Sequence, residues 1–147
     1  MKKYFALLMM LGLCVSGFAQ TAKARRADGT ECAALPCVVA SVSLLDQTAP
    51  FPQTALLTST TGGLFRVTQY LESSHIKGST WGVTFGWTDD LKTWSTGVFQ
   101  AHAGSISAGT WVVRIIPGQS ITYAVTQGNN NPPGTSYYLF VTVEQLQ

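Results

Sequence analysis

Trp81-Gly82-Val83-Thr84-Phe85-Gly86-Trp87-Thr88 sets four large apolar side chains on odd positions and only glycine and threonine on even ones. A period of two sends successive side chains to opposite faces of an extended chain, so this stretch reads as a β-strand with one apolar face. Outward from it, similar runs recur at Val38–Leu44, Thr54–Thr58, Leu64–Ser73, Lys92–Thr96, Thr110–Ile116, Ile121–Gln127 and Ser136–Leu146. Turn formers separate them: Pro50 and Pro52 within Gln47–Gln53, Thr61-Gly62-Gly63, Asp89-Asp90, Pro117-Gly118-Gln119, and a longer Gly128–Gly134 loop. About eight short strands and no helical pattern predict an all-β domain, a two-sheet antiparallel β-sandwich with the jelly roll as leading arrangement.

Residues 1–19 have the anatomy of a signal peptide: Lys2 and Lys3, an apolar run from Phe5 to Val15, and small residues at Gly17 and Ala19. The run is shorter than the roughly 20 apolar residues of a spanning helix, so cleavage and export are expected, with no membrane insertion. Export places the protein in the extracellular space, at the cell surface or in a periplasm. Leu13 precedes Cys14, which fits a lipoprotein signal badly. With Lys2 and Lys3 removed, seven basic side chains face seven acidic ones. The basic footprint of a nucleic-acid binder is therefore missing, and Lys23, Arg25 and Arg26 fall in a polar arm over 20–37 that leads into one domain over 38–147.

Cys32 and Cys37 remain after cleavage, and an exported chain usually oxidises such a pair, closing a loop around Ala33–Pro36. Free or intermolecular thiols and a metal site are the alternatives, the last short of nearby ligands.

Two strands are apolar on both faces. The last puts Tyr137, Leu139, Val141 and Val143 on one side and Tyr138, Phe140, Thr142 and Glu144 on the other; the strand at Leu64 divides likewise, with Tyr70 and Leu64 opposite Phe65, Val67 and Leu71. A monomeric sandwich normally leaves its outer face polar, so the second aromatic set calls for cover by a loop, a ligand or another subunit.

The order Ser41–Leu44, Thr54–Thr58, Gly63–Leu71, Phe85–Asp90, Ile121–Tyr123 and Tyr138–Leu146 resembles a domain of bacterial secreted proteins and phage fibre or tail-associated proteins. More loosely it is similar to the tumour-necrosis-factor-like and complement globular-head jelly rolls, through Gly63-Leu64-Phe65, Val112–Ile121 and the aromatic last strand. The resemblance implies a threefold trimer through an aromatic sheet, which here assigns the interface to Leu64, Tyr70, Tyr138 and Phe140. No Gly-X-Y repeat precedes the domain, unlike the collagen-fused members.

Residues with catalytic potential are few. His75 and His102 stand beside expected loops without a Gly-x-Ser-x-Gly elbow or a His-x-His spacing. Asp89 and Asp90 suit a turn, with a calcium site shared with Asn129–Asn131 or a carboxylate pair as lesser readings. Trp81, Trp87 and Trp111 follow the core parity, which leaves Trp94 as the ring best placed to stack on a sugar. The expected function is a non-enzymatic secreted recognition or assembly domain, a homotrimer without cofactor or metal. The alternative is a monomeric carbohydrate-binding module that uses Trp94, Asn129, Asn130 and Asn131 for a glycan.

Overall fold

The computed structural model describes Cys32 and residues 34–147. The expected leader over 1–19, Cys14, and the arm as far as residue 31 lie outside the described residues. Nine strands follow: β1 (Cys37–Gln47), β2 (Phe51–Thr58), β3 (Gly63–Ser73), β4 (Thr80–Thr88), β5 (Thr93–Ser95), β6 (Phe99–His102), β7 (Ile106–Ile115), β8 (Ser120–Gln127) and β9 (Tyr137–Gln145).

They form two antiparallel sheets, β1-β9-β3-β7 and β2-β8-β4-β5, with β6 also paired to β4. β5 and β6 run one after the other beside β4, with Ser95 opposite Gly86 and Phe99 opposite Val83. Together they are one strand interrupted at Thr96–Val98, so the second sheet reads β2-β8-β4-β5/β6. Strands from the two halves of the chain then interleave in both sheets, the arrangement of a jelly roll.

The interior confirms the period-two reading. Trp81, Val83 and Phe85 are fully buried, facing Phe65, Val67 and Leu71 of β3 and Leu139, Val141 and Val143 of β9. Trp81 tilts against Tyr137 at 4.6 Å, and Phe85, Phe99 and Trp111 form a second aromatic cluster. Burial pushes the Tyr137 phenol up to about 12. Two glycines mark close approaches. Gly62 has φ 70°, and a Cβ there would lie 2.7 Å from the Ile115 carbonyl oxygen; at Gly82 a Cβ would collide with Val98, which folds over β4 where the β5/β6 strand breaks.

Two segments differ from the sequence expectation. Gln47–Gln53 reads as a turn-rich connection, yet β1 runs through Gln47 and β2 begins at Phe51 and contains Pro52. β2 is a sheet edge, with a register shift between Phe51 and Thr54, and an edge tolerates the missing N–H. β6 and the first half of β7 were not expected as strands. In Ile106–Gly109 the alternation is inverted: Ile106 and Ala108 are exposed while Ser107 and Gly109 are partly covered, so the segment carries no apolar inner stripe.

Because β1 starts where β9 ends, with Cys37 opposite Gln145, both ends of the described domain issue from one pole. The 59–62, 89–92 and 116–119 connections share that pole. The 74–79, 103–105 and 128–136 connections lie at the other, where Ser74 N–H donates to Ser136 and Gly104 N–H donates to Ser74.

Candidate functional site

The outer face of the β1-β9-β3-β7 sheet is built in rows by its register. Glu72 pairs with Tyr138 and Ile106, Tyr70 with Phe140 and Ala108, Thr68 with Thr142 and Thr110, and Arg66 with Glu144 and Val112. Leu64 pairs with Arg114 at the start of β3, and Val38 sits beside Glu144. All four residues expected at an interface, Leu64, Tyr70, Tyr138 and Phe140, therefore share this face on its two central strands. Tyr70 meets Phe140 edge to face at 6.1 Å.

Aromatic and aliphatic side chains alternate on this face with threonine and charged rows. Among the described residues nine large apolar side chains are exposed, and four of them stand here: Val38 (45%), Ile106 (56%), Val112 (54%) and Phe140 (41%). Sequence reasoning missed Val38, Ile106 and Val112; the signal at Val112 is the parity of β7, whose Trp111 and Val113 point the other way. Polar contacts cross the face as well. Arg66 Nε donates to Glu144 Oε2 at 2.5 Å, and the Thr68 and Thr110 hydroxyls meet at 3.1 Å. The Tyr70 hydroxyl donates to Glu72 Oε2 at 3.2 Å, and burial, then that bond and the carboxylate's charge, raise its pKa.

The opposite sheet is outwardly different. Its face carries Thr84, Gly86, Thr88, Ser120, Thr122 and Ala124 around a cleft of about 400 Å³ that Trp87 and Trp94 also line, crossed by a Gln53 Nε2 bond to Thr122 Oγ1 at 3.0 Å.

The remaining sequence-derived candidates do not converge. Trp94 pairs with Trp87 at the far end of β4, the two rings nearly parallel with centroids 6.4 Å apart. Its indole Nε1 donates to Asp89 Oδ2 at 2.7 Å, and the Lys92 ammonium lies over the ring, 3.9 Å from the centroid. Asn131 lies at the other end of β4, its Oδ1 accepting the Thr80 amide at 2.6 Å; Asn129 and Asn130 are exposed beside it. Thr80 and Trp87 are seven residues apart, roughly 23 Å along a strand. Trp94 and Asn129–Asn131 thus do not form one site, nor do Asp89 and that asparagine run.

Asp89 shapes its turn. Oδ1 accepts the Leu91 and Lys92 amides at 2.8 and 3.1 Å, and these bonds hold the carboxyl below its ordinary range. Asp90 pairs with Arg114 at 2.5 Å. Among the described residues no three or more His, Cys, Asp or Glu side chains are grouped to hold a metal. His75 and His102 are exposed, and His102 Nδ1 is 3.2 Å from the Thr80 hydroxyl. Cys32 and Cys37 are joined by a disulfide, with Cα atoms 6.2 Å apart, at the start of β1.

Fold and face together define a jelly-roll sandwich with aromatic and aliphatic rows on one outer sheet and a hydroxyl-rich surface on the other. No family model matches the chain, and no curated protein matches its sequence.

Proposed function

We propose that this is a secreted, non-enzymatic recognition or assembly domain that associates with copies of itself through the outer face of the β1-β9-β3-β7 sheet. The observation that carries the reading is the concentration of exposed apolar side chains on that face, around Tyr70, Tyr138 and Phe140. Four strands about 4.8 Å apart and 9–11 residues long cover roughly 19 by 33 Å, at the small end of one side of a standard protein interface. Threefold symmetry is what the resemblance to the tumour-necrosis-factor-like and complement globular-head domains implies for such a face. The Cys32–Cys37 bond is in keeping with an oxidising compartment. Assembly would supply avidity, since weak sites held together on one body bind far better than one alone.

Light scattering of the full chain tests this. A mass three times that of the chain is expected, and Tyr138→Asp or Phe140→Asp should return it to one chain mass with an unchanged far-ultraviolet spectrum. A wild-type monomer at tens of micromolar, or an assembly indifferent to both substitutions, would defeat the proposal.

A further inference from the structure

Glu72 stands half-buried near the end of β3, with Tyr138 directly across the ladder and Tyr70 two residues before it. Its carboxylate accepts the Tyr70 hydroxyl, but it joins neither of the ion pairs found among the described residues, Arg66 with Glu144 and Arg114 with Asp90. Glu72, Ser74, His75, Ser136, Tyr138 and Phe140 line an open hollow of about 470 Å³ at the loop pole of the sheet. A carboxylate attracts a counter-ion, and the faces of aromatic rings attract the same sign of charge. A neutral ligand would gain at most a hydrogen bond from the carboxylate, a cation gains its charge and the ring faces as well, and an anion would be repelled. A bare metal ion lacks ligands here, because no cluster of three or more metal-binding side chains is present among the described residues.

We infer that this hollow binds an organic cation, an alkylammonium or quaternary ammonium group, its charge against Glu72 and its carbon substituents against Tyr138 and Phe140. The hollow is built within one chain and shares Tyr138 and Phe140 with the proposed interface, so the inference concerns that face while it is uncovered, and binding and assembly compete for the two rings.

The experiment titrates the full chain with choline chloride and, separately, with its neutral isostere 3,3-dimethylbutan-1-ol. Binding is followed by amide chemical shifts, and mass by light scattering in the same samples. Saturable choline binding is expected, with the isostere, Glu72→Gln and Tyr138→Leu each weakening it about tenfold. Glu72→Gln removes the charge alone and Tyr138→Leu the ring alone, so each checks the other. Failure of choline to saturate, equal binding of the isostere, or indifference to both substitutions would overturn the inference. Choline binding by a chain already monomeric without choline would sustain it while defeating the assembly; an assembly that choline neither binds nor dissociates would do the reverse.

Discussion

At the residue scale, Asp89 shows how a side chain flagged for possible chemistry is spent on structure. Its two oxygens accept three N–H groups, from Leu91, Lys92 and Trp94, and thereby set the turn and fix the Trp94 indole. The carboxyl is held below its ordinary range, first by the two backbone amides, so it favours the folded state when ionised. That contribution is present above the unfolded carboxylate value of about 4 and is lost as pH falls through the lower folded value. Asp89→Asn keeps one acceptor oxygen but cannot titrate. Its thermal midpoint should therefore fall less steeply than wild type on acidification below about pH 5, measured as parallel melting series across that range; identical slopes would contradict the assignment.

At the element scale, the β3–β7 pair explains both what could be read in the chain and what could not. β4 and β9 were legible because large apolar residues keep one parity, as in Trp81, Val83 and Phe85 or Leu139, Val141 and Val143. Parity likewise put Tyr70 with Leu64, and Tyr138 with Phe140, on the second face of their own strands; that the two strands share a sheet was implied by the resemblance alone and is seen in the register. The start of β7 was not legible, because the space inside it is filled from across the ladder. Gln69 lies opposite Gly109 and is 1% exposed, its amide packing over the glycine in ordinary contact, 3.7 Å from where a Cβ would stand. Neither of its amide atoms has a hydrogen-bond partner. A buried polar group left unpaired costs about 1–3 kcal/mol, so Gln69→Met, similar in volume and apolar, should raise stability by about 1 kcal/mol in urea titration. A loss of that size would show instead that the amide is satisfied. The site itself was only partly visible in the sequence, since the neighbourhood of Glu72 and Tyr138 depends on a register between strands 66 residues apart in the chain, and no local pattern encodes it.

At the scale of the whole molecule, the two sheets share a core but differ in their outer faces, one bearing Val112, Ile106 and Phe140, the other threonine, serine and glycine. If the face bearing Phe140 is covered by further copies, mass action ties folding to concentration. The thermal midpoint of wild type should rise with protein concentration, and that of Phe140→Asp should not. A concentration-independent midpoint in both proteins would detach stability from assembly. The pairing of Cys37 with Gln145 has a separate consequence. A tether joined to either end of the described domain leaves at the same pole, so the 74–79 and 128–136 loops stand outward at the other, like the head of a pin.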